Sequence, residues 1–441
     1  MTARDQRLSL SDEANARLHA MVPGGAHTYA KGEDQYPEGL APVISHGKGG
    51  HVWDIDGNEY IEYGSGLRSV SLGHAHRRVV EAVRRQLELG SNFVRPSIIE
   101  LEAAERFLQT VPTAEMVKFA KNGSDATTAA VKLARAVTGR PLVATCQDQP
   151  FFSIDDWFIA TTAMSSGIPQ PVADLTVGFP YGDLDATEQL LRRHDGQVAC
   201  LILEAATHQD PPEGYLAGLR DLAHAYGCLL VFDEMITGFR WSEAGAQGMY
   251  GVTPDLSTFG KALGNGFAVS ALAGRRALME RGGLHDSHER VFLLSTTHGA
   301  ETHALAAAIA VMETYEKEGI SAQLFELGER LAAGVVEAAA AAGVEEHVVV
   351  RGRPSNLVFA TLDQDLQPSQ DYRTLFIREL ILGGVLAPSF VVSSALTEED
   401  IDRTVQVVAR ACAVYRTALD AGDPTAWMGG RAVKPVFRRF A

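Results

Sequence analysis

Apolar residues along the chain fall into two alternating rhythms. Apolar runs of strand length, at 116–120, 198–203, 228–233, 255–259 and 268–273, suit strands buried on both faces. Between them, apolar positions recur every three or four residues at 77–88, 98–110, 125–137, 216–226 and 300–318, the period of an amphipathic helix. Strands alternating with helices predict an α/β fold whose mainly parallel sheet is covered on both sides. Nearer the start, GGHVWDIDGNEYIEY sets two short β-type runs around Asp56, Gly57 and Asn58, a hairpin signal and a piece of scaffold.

Past Glu318 the rhythm changes. An alanine-rich helical pattern at 321–342 precedes strand runs at 347–351 and 356–361, a helix near 371–383 and another at 398–418. This predicts a separate, smaller α+β unit. The final AWMGGRAVKPVFRRFA is basic and aromatic, and reads as a docking segment that covers a domain or subunit surface.

Composition narrows the class. The 441 residues are 46% hydrophobic and 21% charged, ordinary for a soluble globular protein, and no run approaches the roughly 18 apolar residues of a membrane span. The polar start, MTARDQRLSLSDEANARLH, is unlike a signal peptide. A net charge of -16 argues against nucleic acid as a partner, because phosphate binding needs a basic face. Cys146, Cys200, Cys228 and Cys412 are scattered without metal-ligand or disulfide spacing, so no metal is expected and a reducing cytoplasm fits.

Three features carry chemistry. LLVFDE delivers Asp233 at the end of an apolar strand run, where parallel sheets bind ligands. LSTFGKALGNG places Lys261 after another such run; an amine in poorly solvated surroundings has a lowered pKa and becomes a nucleophile toward aldehydes. KNGSDA puts Gly123 and Ser124 at the start of a helix, where free N–H groups and the helix dipole attract phosphate, though a Gly-Ser pair there is also an everyday cap. A carboxylate for a pyridinium nitrogen, a reactive lysine and a phosphate cup together suit pyridoxal 5'-phosphate.

With these residues in view, LLVFDEMITGFRW followed by PDLSTFGKALGNG resembles the signature of class III (fold type I) pyridoxal-phosphate aminotransferases, in the branch that contains glutamate-1-semialdehyde aminomutase. The likeness extends over nearly the whole chain, from MVPGGAHTY to LTEEDIDRTV. It implies a large seven-stranded, mainly parallel sheet domain over 66–320, and a small α+β domain built from both chain ends, 1–65 and 321–441. It implies that Lys261 is the Schiff-base lysine and that Asp233 partners the ring nitrogen. Met235 would pack on one ring face and Phe151 on the other, Gly123 and Ser124 would hold the phosphate, and Glu204 would support the cofactor. Thr297, in STTHG, would reach the phosphate of a neighbouring subunit, which implies a homodimer with shared active sites.

The chain also departs from that branch. Phe152 stands where a histidine follows the stacking aromatic, Lys31 stands near the position of a carboxylate-gripping arginine, and the segment after APS lacks a glutamate. The last two changes count against glutamate-1-semialdehyde as the substrate, and the reading is an aminotransferase working through a pyridoxamine form, with an amino-acid donor and a carbonyl acceptor such as a keto sugar or aminocyclitol. An aminomutase acting within one molecule is the alternative; a non-catalytic partner protein is a third reading, opposed by the presence of both Asp233 and Lys261. Arg68, in GLRS, is a candidate anchor for a substrate carboxylate, with Tyr29 and Lys31 nearby in role. Asp155, in PFFSIDDW, suits either a polar substrate group or a helix cap.

Overall fold

A computed structural model describes residues 8–440. The polar start of the chain and the last residue of its tail lie partly outside this range. The described residues form two compact units: 8–67, Leu72–His76 and 322–440 make the first, and Arg68–Ser71 with Arg77–Ser321 the second.

After a helix at Ser9–Met21 the first unit forms the strands β1 (Ile44–Lys48), β2 (His51–Asp54) and β3 (Glu59–Glu62), paired antiparallel in sequence order. The Asp-Gly hairpin forms as its sequence suggests. Gly57 takes a positive φ of 86°, and the Asp54 carboxylate accepts from the Asn58 N–H at 2.8 Å and from the Tyr60 hydroxyl at 2.9 Å.

The second unit is built on seven strands, β4 (Met116–Ala120), β5 (Leu142–Cys146), β6 (Thr176–Phe179), β7 (Val198–Leu203), β8 (Leu229–Asp233), β9 (Leu256–Phe259) and β10 (Ser270–Gly274), in the spatial order β4-β10-β9-β8-β7-β5-β6. β10 runs antiparallel to both its neighbours, while β6, β5, β7, β8 and β9 are mutually parallel. Every residue of β5, β7, β8, β9 and β10 is buried, as a sheet covered on both faces requires. The helix Gly123–Thr138 buries Ala126, Ala129, Ala130, Leu133 and Ala134 in the same core. Apolar runs and periodicity single out five of the strands and miss β5 and β6, which contain polar or small residues such as Thr145, Thr176 and Gly178.

The chain then returns to the first unit. β11 (Val348–Arg351) and β12 (Val358–Thr361) form an antiparallel pair, and β13 (Val385–Leu386) lies parallel to β3, so residues from both halves of the sequence share one sheet. The tail packs on this unit. Val433 N–H donates to Thr374 Oγ1 at 2.8 Å, and Arg431 N–H to Glu38 Oε2 at 2.9 Å.

Candidate active site

β7, β8 and β9 are adjacent and parallel, so their carboxyl ends open at one edge of the sheet. Leu203 lies opposite Phe232, and Asp233 opposite Thr258. Glu204, Asp233 and Lys261 therefore leave neighbouring strands at one place. Asp233 is fixed there by two donors to Oδ1, the Met235 N–H at 2.9 Å and the Thr258 hydroxyl at 3.1 Å. Lys261 follows Gly260, opens a short 3₁₀ turn and adopts φ 46°, a left-handed conformation that costs a non-glycine residue about 1–3 kcal/mol. Strain of this size persists only where the surroundings over-determine the conformation.

The charges are crowded. Burial holds the Lys261 amine below its ordinary value, even though Asp233 and Glu204 pull the other way. Burial raises Asp233 to about 6, against the opposing influence of Lys261. Glu204 is raised to about 7, first by burial and then by Asp233, while Lys261 and Arg68 oppose the shift. Arg68 itself is lowered by burial and held up by Glu204. The result is a set of mutually dependent acids and bases, as sites of proton transfer require.

Glu204 gives a pH prediction for the cofactor-free protein. Its folded value of about 7 exceeds the ordinary 4.5, so between those pH values the folded state binds more protons, and stability falls as pH rises through the window. The effect reaches about 3 kcal/mol at most. Glu204→Gln removes the titration, so in urea melts the stability of the variant relative to wild type should grow from pH 5 to pH 8. A difference that stays flat across this range would contradict the assignment.

The helix Gly123–Thr138 starts beside this edge. Its first-turn N–H groups have no partners within the helix, while Asp125 Oδ2 accepts the Asn122 N–H at 2.9 Å. A Cβ on Gly123 would come within 3.0 Å of Met235 Sδ, and one on Gly260 within 2.6 Å of the same atom. Met235 is thus seated between two glycines, which explains a glycine at the helix start and another just before the lysine. The same helix secures the loop PFFSIDDW: Ser124 Oγ accepts the Ile154 N–H at 3.0 Å, and the Thr127 hydroxyl donates to the Phe152 carbonyl at 2.8 Å.

In that loop Phe151 stays 40% exposed, while Phe152 turns into the core, edge-on to Phe158 at 5.5 Å. Asp155 occupies the residue before the short helix Asp156–Ile159, but its side chain does not cap it. Its carboxylate accepts from the Thr128 hydroxyl at 2.5 Å and from Ser153 at 3.2 Å. Thr297 is exposed, with its carbonyl bonded to Asn92 Nδ2 at 2.9 Å. Tyr29 and Lys31 share a 3₁₀ turn of the first unit, both exposed, whereas Lys261, Asp233, Glu204, Arg68, Met235, Gly123 and Ser124 belong to the second.

Sequence reasoning passed over two charged residues that shape the site. Glu234, next to Asp233, is fully buried; it accepts the N–H groups of Ala246 at 2.7 Å and Gln247 at 2.9 Å as well as the Thr237 hydroxyl, so it ties down the loop beyond β8. Arg240, on that loop, is also buried and donates through Nη2 to the Arg68 carbonyl at 2.9 Å. Arg68 needs such a support, because Ser65, Gly66, Leu67 and Arg68 all take positive φ between 46° and 70°. The signal was a charge inside an aromatic run, Phe239-Arg240-Trp241.

Known proteins resemble this chain in sequence and in fold. A glutamate-1-semialdehyde 2,1-aminomutase from Desulfitobacterium hafniense is 33% identical over 92% of this chain and 98% of its own length. An omega-transaminase structure from Sphaerobacter thermophilus matches 93% of the chain and 98% of itself, with TM-score 0.83 and 26% identity. A structure described as a transaminase with PLP bound matches 94% and 98%, with TM-score 0.84 and 25% identity. Residues 32–390 match the family model for aminotransferase class-III, and the chain, with its seven-stranded α/β domain of fold type I, belongs to that family.

Proposed function

We propose that this chain is a pyridoxal 5'-phosphate-dependent aminotransferase that moves an amino group from an amino-acid donor to a carbonyl acceptor. The observation that carries this reading is the emergence of Glu204, Asp233 and Lys261 from three adjacent parallel strands. The residues fit the cofactor: an amine whose pKa burial lowers, a carboxylate fixed by two donors, a helix that starts at Gly123 and Ser124, and a methionine seated between glycines. Bound pyridoxal phosphate supplies an aldehyde that takes up an amino group and a ring that draws electrons from the substrate Cα.

The chain's residues do the rest. Lys261 carries the cofactor and, once released, moves the proton at the substrate Cα through Nζ. Asp233 keeps the ring nitrogen protonated. Gly123 and Ser124 hold the phosphate, Met235 and Phe151 the ring faces, and Glu204 supplies a compensating charge. Arg68 anchors the donor carboxylate, and Asp155, held by Thr128 and Ser153, offers an acceptor to hydroxyl or amino groups of a polar substrate.

The same reading takes the protein as a cytoplasmic homodimer in which Thr297 reaches the partner's phosphate. The single chain leaves Phe93 50%, Val94 100%, Ile98 69% and Leu101 53% exposed, apolar surface that a second copy would cover. Among the described residues no helix is long and apolar enough to cross a membrane.

An intramolecular aminomutase is the second reading, supported by the name of the relative at 33% identity. A half-reaction screen separates the two. An aminotransferase releases an oxo acid from an amino-acid donor before any acceptor is added, whereas isomerisation of glutamate-1-semialdehyde with no oxo product favours the mutase. In the same screen Arg68→Ala should weaken binding of carboxylate donors about 10- to 100-fold, the worth of a charge-assisted pair, and spare amines without a carboxylate. Equal losses for both donor types would remove Arg68 from the carboxylate site.

A further inference from the structure

Gln149 lies just beyond the carboxyl end of β5 and is 5% exposed. β5 and β7 pair in parallel as far as Thr145 and Ile202. Past the ladder, the Gln149 side chain takes the place of a strand. Its Nε2 donates to the Glu204 carbonyl at 2.7 Å, and its Oε1 accepts the Glu204 N–H at 2.7 Å. A primary amide presents a donor and an acceptor side by side, matching the C=O and N–H of one residue, and asparagine is one methylene shorter.

We propose that Gln149 is a positioning residue, whose clamp on both backbone groups of Glu204 holds that carboxylate in the field of Lys261 and so sets the charge beside the cofactor's lysine. Glu204 is faced by Asp233, Lys261, Arg68 and Glu234, and Cys146 lies in its field; Lys261 is faced by Asp233, Glu204, Arg68 and Arg240. Both backbone groups of Glu204 are pinned by the one side chain of Gln149. Gln149 also roots the loop that carries Phe151, two residues on, so one amide fixes the place of both a charge and an aromatic ring.

The inference rests on the reading of Lys261 as the residue that carries the cofactor, and loss of the lysine-bound absorbance in Lys261→Ala tests that reading separately. The test of Gln149 is a double-mutant cycle on the purified, cofactor-loaded protein, following the pH at which the visible band of the lysine-bound cofactor changes. Gln149→Met keeps the bulk and removes both bonds. With Glu204 freed, the positive form beside it loses a compensating charge, so the transition should fall by about one pH unit. In a Glu204→Gln background the same substitution should leave the transition unmoved. Gln149→Asn, too short to close the clamp, gives the same reading if methionine prevents folding. An unshifted transition in either folded variant overturns the proposal, and so does an equal shift in both backgrounds, which would make Gln149 a structural residue acting independently of Glu204. Urea melts of the cofactor-free protein supply a second readout: the stability gain of Glu204→Gln between pH 5 and pH 8 should shrink when Gln149 is methionine.

Discussion

Replacing Lys261 with alanine should lower turnover by at least about 10⁴-fold, because in the proposed function one side chain would both hold the cofactor covalently and move the substrate proton. The visible band of the lysine-bound cofactor should be absent, and borohydride should no longer fix the cofactor to the protein, as mass spectrometry would read directly. The cofactor should still bind, since the residues proposed to hold its phosphate and ring, Gly123, Ser124, Met235 and Asp233, are unchanged. The fold tolerates the change: Lys261 follows a complete strand, and its positive φ of 46° is no worse for alanine than for lysine. Without the amine, Asp233 and Glu204 lose the cation that opposes their upward shifts, so both should climb further. A wild-type spectrum in the alanine variant would sink the assignment and the proposed function with it.

Asp233→Asn should reduce turnover about 10³-fold while leaving unfolding stability nearly unchanged. Asparagine keeps an oxygen that can accept from Met235 N–H and the Thr258 hydroxyl, so the local structure survives. What disappears is the negative charge. Breaking a buried charge pair costs roughly 3–5 kcal/mol, and a loss of about 4 kcal/mol in the transition state corresponds to that factor in rate. Comparing the rate with urea melts of the same variant separates charge from packing. Near-normal turnover, or a loss of rate that tracks a loss of stability, would contradict the role given to Asp233.

Much of the fold is legible because its elements are local. The helices at 77–88 and 98–110 and the strands at 116–120 and 198–203 form with the bounds that periodicity suggests. β5 and β6 escape the pattern: LVATC and TVGF are short and mixed, and they become strands because a buried parallel neighbour completes their hydrogen bonds. Asp233 and Lys261 are legible for the same reason that the strands are, since each follows an apolar run whose end points toward a ligand edge.

Other residues of the site acquire their roles only from partners far along the chain. Gln149 meets Glu204 across 55 positions and Arg240 meets Arg68 across 172, and no local rhythm encodes either meeting. Phe152 adjoins the expected stacking residue Phe151 in sequence, yet its ring is buried in the core while Phe151 stays exposed. By itself the sequence determined the strand ends, the lysine and the carboxylate, because strand periodicity and side-chain chemistry are properties of short segments. Only the tertiary structure decided which charges face one another and which backbone groups are clamped, because burial and pairing depend on the order in which seven strands assemble.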